Sequence, residues 1–251
     1  MLSKIMNNNK FSINEFDKKK NKSHIIFICD HASNYIPHSF KKLGVSSNLL
    51  ESHIAFDIGA KEFCLEICRR LKQSCFLSNF SRLIIDPNRD LNDDDLIVSN
   101  SWGNIIPGNF SLSIEEKNKR IKEFYKAYHS NLDKLVKRKI KKYVNVRLIA
   151  IHSFNKEINN FHRGVEVGLL YNSNLNLLLR IQKKLQEKKI HFGRNYPYSG
   201  FFYNFTLDKH SKNGFLENIS IEIRNDLICN EKGIKKYVKL FEDIFKVFIN
   251  D

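Results

Sequence analysis

Two histidines in this sequence stand directly behind runs of apolar residues. His31 follows the run 24–29 and its Asp30, and His152 follows 146–151. Carboxylates occupy matching places. Asp86 ends the run 82–86, with Asn88 and Arg89 just beyond it, and Glu222 lies inside 219–223, ahead of Arg224 and Asp226. Histidines and carboxylates in this combination suit a catalytic zinc, which takes three protein ligands and keeps a position for water. There is no contiguous signature of the H-E-x-x-H kind, so any convergence must come from the fold.

Each of these residues also has a plain structural reading. Either histidine alone can be a hydrogen-bonded loop or core residue. Asp57, in His53-Ile-Ala-Phe-Asp-Ile-Gly-Ala60, precedes a helix-like segment, where a carboxylate stabilises the helix dipole. It can equally be a metal ligand. Glu222 alternates with Ile219, Ile221 and Ile223, and a carboxylate in such a strand costs energy unless paired. Pairing with Arg224 or another arginine is one account; a general base with a raised pKa is the other. Arg82, Arg89 and Arg224 all flank strand ends, and arginine suits bidentate carboxylate binding. Cys29 sits in an apolar strand as an inert thiol. Ser153 has no G-x-S-x-G elbow, which argues against a serine hydrolase.

The elements that must position these residues alternate along the chain. Strand-like runs fall at 24–29, 75–77, 82–86, 146–151, 165–171 and 219–223. Helix-like segments fall at 59–72, from the capping box of Ser113 and Glu116 through Leu135, from Asn174 to about 188, and at 231–249. Residues 91–112 form a polar loop of the length used for lids and binding loops. Strands separated by helices predict a three-layer α/β/α sandwich with a mostly parallel central sheet. In such sheets ligands bind beyond the carboxyl ends of the strands, which is where the polar residues cluster. Residues 1–22 are expected to be a poorly ordered or loosely docked arm, and 23–251 a single domain.

Composition limits the function classes. The 251 residues carry 42 Lys+Arg against 27 Asp+Glu, a formal charge of +15. The basic residues are scattered over polar helix faces and are not interleaved with aromatics, so nucleic-acid binding is the weaker reading of that charge. Five cysteines without a C-x-x-C pair exclude a disulfide framework and a Cys-rich zinc finger, and they suit a reducing cytoplasm. No apolar run reaches the ~20 residues of a membrane-spanning helix. The first 22 residues do not read as a secretory signal.

Taken together, the segments resemble the N-formylglutamate amidohydrolase family. The carrying residues are Cys29-Asp-His-Ala-Ser-Asn-Tyr-Ile-Pro37, His53-Ile-Ala-Phe-Asp-Ile-Gly-Ala60 and Ser81-Arg-Leu-Ile-Ile-Asp-Pro-Asn-Arg89. They continue with Ile151-His-Ser-Phe154, Asn195-Tyr-Pro-Tyr-Ser-Gly200, Thr206-Leu-Asp-Lys-His210 and Ile221-Glu-Ile-Arg-Asn-Asp-Leu227. It is the ordered set over about 24–228 that is specific, not any single block. The resemblance implies a zinc-carboxypeptidase-like fold and a Zn2+-dependent hydrolase. It implies release of formate from N-formyl-L-glutamate, at the end of one histidine-degradation route.

Residue by residue, the resemblance makes His31, Asp57 and His152 the metal ligands, with Asp30 competing with Asp57. In the related carboxypeptidases the first ligand block is H-x-x-E; here Asn34 stands three residues after His31, so that pattern does not carry over. Glu222 is then the general base, and His210 or an arginine the donor to the oxyanion. Arg82, Asn88, Arg89 and Arg224 would read the carboxylates of a small anionic N-acyl amino acid. The residues Tyr198-Ser-Gly200 would form a mobile pocket wall. Two alternatives stand beside this: the same scaffold acting on another N-acyl amino acid or peptide amide, and a basic nucleic-acid-binding protein without catalysis. A non-catalytic relative that binds acidic metabolites is a further one. Oligomeric state is open between monomer and dimer.

Overall fold

The computed structural model describes residues 4–8, 10–16, 22–172, 175–212 and 214–250. Its centre is an eight-stranded sheet. In chain order the strands are β1 (Lys4–Asn7), β2 (Phe11–Glu15), β3 (Ser23–Cys29), β4 (Ser74–Ser78), β5 (Asn145–Phe154), β6 (Val167–Leu170), β7 (Phe192–Arg194) and β8 (Asn218–Arg224). Across the sheet they run β1-β2-β4-β3-β5-β8-β6-β7. The four central strands β4, β3, β5 and β8 are parallel, so their carboxyl ends share one edge. The outer pairs β1–β2, β2–β4 and β6–β8 are antiparallel, and β7 lies parallel to β6.

Helices cover both faces. On one side lie α1 (Ala60–Leu71), α3 (Leu175–Glu187) and α6 (Glu231–Asn250). On the other lies α2, which comprises Ile114–Arg120, a π-helical turn Ile121–Tyr125 and Lys126–Ile140. The short α4 (Gly200–Tyr203) and α5 (Phe205–His210) follow β7 in the chain. Strand period decides the partition. Ile25, Phe27 and Cys29 of β3 point into the first layer, and Ile26 and Ile28 into the second. The expected capping box is present: the Ser113 hydroxyl accepts from the Glu116 N–H, and the Glu116 carboxylate accepts from the Ser113 N–H. The proposed helix cap Asn174 lies outside the described residues. Among the described residues, no helix is long and apolar enough to cross a membrane.

Aromatic packing anchors the first layer. Phe245 of α6 meets Phe27 of β3 edge-on at 5.4 Å and stacks with Phe241 at 5.5 Å. It is fully buried. Phe245→Ala is expected to destabilise the fold by about 3–5 kcal/mol, because both transfer energy and packing contacts are lost. Urea unfolding of the variant, read as a lower midpoint at unchanged slope, checks this.

Two expectations change. The arm predicted over 1–22 contributes β1 and β2, and β2 is docked firmly. Phe11 and Ile13 are buried in the second layer. Glu15 is buried between Arg138 and Lys139 of α2, at 2.6 Å from each. The reason is alternation: Phe11, Ile13 and Glu15 share one face of a strand that finds the free edge of β4.

The run 82–86 is not a strand. After β4 the chain leaves the sheet. The Ser81 hydroxyl accepts from the Leu83 N–H and donates to the Ala55 carbonyl, and the Ile84 N–H bonds the Ser81 carbonyl. Turn chemistry of this kind competes with ladder pairing. Leu83, Ile84 and Ile85 are all buried without alternating.

Candidate metal and catalytic site

The shared carboxyl edge of the sheet gathers the titratable residues. β5 runs past Ile151, so His152 lies within the strand, and its register partner on β8 is Glu222. Both share the face of Leu148, Ala150 and Ser220, opposite to Ile149, Ile151 and Ile221. The residue paired with Glu222 on its other side is Gly168 of β6. A Cβ there would stand 2.4 Å from the Tyr196 carbonyl oxygen and 3.1 Å from Glu222 Cβ. The glycine thus lets the segment after β7 cross closely over β6 beside Glu222.

His31 comes from the turn after β3, and Asp57 from the segment that leads into α1. Asp57 does not cap that helix: Gly59 holds the N-cap position, and no side-chain bond caps it. Gly59 has φ +78°, and a Cβ on it would lie 2.1 Å from the Ile228 carbonyl oxygen. Only a glycine turns the chain there and leaves Asp57 facing the sheet edge. Asp57 Oδ2 lies 2.8 Å from His152 Nδ1 and 3.3 Å from His31 Nδ1. All three side chains are buried, and one donor atom from each lies within 4.8 Å of the others.

The remaining nitrogen of each histidine faces a second carboxylate. His31 Nε2 is 2.8 Å from Asp86 Oδ1, and His152 Nε2 is 3.4 Å from Asp30 Oδ2. A carboxylate behind a histidine fixes the ring so that its other nitrogen faces the ligand position. Asp30 is itself held, accepting from the Tyr128 hydroxyl at 2.6 Å and from the Thr206 hydroxyl at 2.9 Å. Asp57 is the carboxylate whose oxygen converges with a nitrogen of each histidine. Two histidine nitrogens and a carboxylate oxygen fit a divalent ion such as zinc.

Electrostatics agree with that fit. Burial works against the Asp57 carboxylate, but the His31 charge and the bonds from His152 and His31 hold it well below its usual range. Burial works against the His152 cation, yet bonds to Asp30 and Asp57 push it well above normal. Glu222 differs. Its Oε2 is buried with no hydrogen-bond partner, and burial pushes its carboxyl up to about 7. His53 lies beside the cluster, with Nδ1 3.6 Å from Asp57 Oδ1, and burial pushes it down to about 4.

A cavity of about 350 Å³ opens on this cluster. His31, Asp57, His152 and Glu222 form one wall, and Tyr198, Tyr203 and Trp102 line the rest with Arg82, Asn88 and Arg89. Three convergent donors that could hold a metal, beside an unpaired carboxylate in a pocket, are the parts a metal-assisted hydrolysis requires. A family model described as N-formylglutamate amidohydrolase matches residues 23–229.

This chain belongs to the N-formylglutamate amidohydrolase family.

As a member of that family the chain is an amidohydrolase. It is similar to a solved gene product of Agrobacterium tumefaciens, with TM-score 0.88 and 27% identity over 96% of this chain and 94% of that one. It shares the fold of an N-formylglutamate amidohydrolase from Ralstonia eutropha JMP134, with TM-score 0.76 and 19% identity over 94% and 95% of the two chains. No curated protein matches it.

Within this amidohydrolase, the sequence-predicted site residues separate into two groups. His31, Asp57, His152, Glu222, Arg82, Asn88 and Arg89 meet at the cavity. Arg82 is committed to Asp86 at 2.6 Å and also lies 3.3 Å from His31 Nδ1. Arg89 has no carboxylate partner among the described residues; it bonds the Asn88 carbonyl and covers the Tyr203 ring at 5.0 Å. Asn88 is spent on structure, donating to the Tyr203 carbonyl and accepting from the Thr206 N–H.

Arg224 and His210 are not brought to the cavity. Arg224 ends β8 where the chain enters the turn Asn225–Leu227, and it pairs with Asp226 at 2.7 Å; Glu222 is left without an ion pair among the described residues. His210 is buried against α2, with Nε2 2.9 Å from His129 Nδ1 and the two rings stacked at 5.2 Å. Burial pushes it down to about 4. His210→Asn is expected to keep kcat within about threefold and to cost about 1 kcal/mol of stability, the value of a buried hydrogen bond. Steady-state kinetics beside a thermal melt separates these effects.

The sequence reading passed over Arg163 and assigned no role to His53. Arg163 comes from the segment after β5, and nothing in local sequence marks it, because its burial depends on Tyr198 some way along the chain. His53 stood in a quoted motif, and its spacing of four from Asp57 was the available signal.

Proposed function

We propose that this amidohydrolase cleaves N-formyl-L-glutamate with water to give formate and L-glutamate, using one divalent ion, Zn2+ first among the choices. The observation that carries the reading is the buried His31–Asp57–His152 donor set beside the unpaired Glu222. The three donors would hold the ion, which supplies Lewis acidity and acidifies water when bound. Glu222 accepts the proton of the attacking water and returns it to the leaving nitrogen, a role suited to a carboxyl poised near 7. Asp86 bonds His31 Nε2 and holds that imidazole in orientation, while the Asp30 carboxylate faces His152 Nε2. Arg89, free of a carboxylate partner, takes one carboxylate of the substrate. Arg82, tied to Asp86, places positive charge on the same wall. A cytoplasmic setting fits the cysteines, which are all free.

Trp102, 58% exposed at the cavity and followed by Gly103 in a hairpin of Asn100–Ser101 and Asn104–Ile105, favours a second reading. Its indole leaves an apolar wall for a larger acyl group than formyl. The test joins metal content to product. Purified protein is analysed for metal, and formate release from N-formyl-L-glutamate is followed with and without chelator. About one metal per chain, with formate release that chelation abolishes and zinc restores, is the expected result. Bound metal without formate release, and cleavage of N-acetyl or longer N-acyl glutamates instead, moves the assignment to the second reading. No metal binding after reconstitution overturns both.

A further inference from the structure

We propose that Tyr198, held by Arg163, donates a hydrogen bond to the carbonyl oxygen of the substrate as negative charge builds there. This rests on the amide-hydrolysis reading of the same site. The oxyanion of an amide hydrolysis needs a placed donor, and the residues expected to supply it do not: His210 faces α2, and Arg82 is bound to Asp86.

Tyr198 lines the cavity with Glu222 and His152. The segment that carries it crosses over Gly168, the register neighbour of Glu222, where a side chain would strike the Tyr196 carbonyl oxygen. The Tyr198 hydroxyl oxygen lies 3.1 Å from Arg163 Nη1. A guanidinium has donors only, so the hydroxyl oxygen must accept this bond, and its own hydrogen is left for another acceptor. Accepting from a cation polarises the O–H and makes it the better donor. Burial, followed by the charge of Glu222, pushes the phenol pKa up, which keeps the proton on the oxygen.

Arg163 Nη1 also reaches the Asn155 carbonyl, at 3.5 Å, so the Tyr198 hydroxyl is its closer partner. Arg163 is 7% exposed, and among the described residues no carboxylate pairs with it. Its guanidinium lies 4.9 Å from the Tyr198 ring centre and 5.8 Å from that of Phe154. A buried cation without a carboxylate is costly unless its position serves a ligand. Tyr198 is therefore a catalytic residue, and Arg163 a positioning residue that acts through it.

The test uses the zinc-loaded full chain and two ligands besides the substrate. One is 2-(phosphonomethyl)pentanedioate, whose tetrahedral phosphonate stands where the attacked formyl carbon would be. The other is the product L-glutamate. Tyr198→Phe is expected to lower kcat about 10²-fold, the cost of one oxyanion donor, with KM changed less than about threefold. It weakens phosphonate binding by about 30-fold in calorimetry and leaves L-glutamate binding unchanged. Arg163→Met gives the same pattern at smaller size and adds nothing in the Tyr198→Phe background, whereas Arg163→Lys recovers part of the loss. Unchanged kcat and phosphonate binding in Tyr198→Phe overturns the proposal alone. Equal weakening of both ligands also overturns it, since that marks a packing role. A parent protein that binds neither ligand removes the glutamate reading, and this inference with it.

Discussion

Glu222→Gln is expected to lower kcat for amide hydrolysis by about 10³-fold while the bound metal stays in place. The substitution keeps shape and burial and removes only the ability to carry the proton. Glu222 is suited to this work by three features that reinforce each other. It sits in register with His152, so the sheet itself fixes its distance from the metal donors. It has no ion-pair partner among the described residues, and its Oε2 has no hydrogen-bond partner. Burial pushes its carboxyl up to about 7, where accepting and returning a proton are both inexpensive.

The sign of the pH dependence follows. The base works as a carboxylate, so kcat/KM falls as pH drops through its pKa. A bound cation favours the charged form, which places that acidic limb at or below about 7. Elemental analysis beside kcat checks the substitution. A Glu222→Gln protein that retains metal and keeps kcat within about tenfold of the parent would remove Glu222 from the mechanism.

The second large effect concerns metal affinity. Asp57→Asn is expected to weaken zinc binding by about 10³-fold, more than the 10–100-fold that loss of an outer partner costs. Asp57 Oδ2 lies within reach of both His152 Nδ1 and His31 Nδ1. Replacing it removes a ligand and also the charge that offsets two buried imidazoles. Asp30→Asn supplies the contrast. Asp30 touches only the far side of His152, so its loss should fall in the 10–100-fold range. Competition against a fluorescent zinc chelator gives both affinities on one scale. Equal losses in the two variants would mean that Asp57 is not a ligand.

The gain from gathering these residues on one edge is electrostatic as much as geometric. Asp30, Asp57, Asp86 and Glu222 are all buried within a short distance of two histidines. Three of these carboxyls are held down by cationic neighbours. Only Glu222 is raised. Environments that push neighbouring carboxyls apart in pKa assign them different tasks. On the proposed reading they separate the charge-bearing groups around the His31–Asp57–His152 cluster from Glu222, the group that would exchange a proton.

Much of this was legible in the sequence, because it depends on local pattern. The apolar runs of β3, β5 and β8 and the periodicity of α1, α2, α3 and α6 can be read off directly, since burial period reflects backbone geometry. That His31, His152 and Glu222 sit at strand ends followed from those runs, and shared strand polarity implied one edge. Strand β2 was missed because its alternation is short and lies in a polar, Lys-rich stretch. The run 82–86 was misread because three consecutive apolar residues look the same in a buried turn as in a strand. What only the tertiary structure decided is which polar residues meet. Arg224 and His210 have the right residue types at plausible places, but one is captured by Asp226 and the other by His129. Asp86 meets His31 and Arg163 meets Tyr198 across loops of independent direction. Hydrogen bonds and ion pairs act over a few ångströms between residues far apart in the chain, and no local pattern encodes that distance.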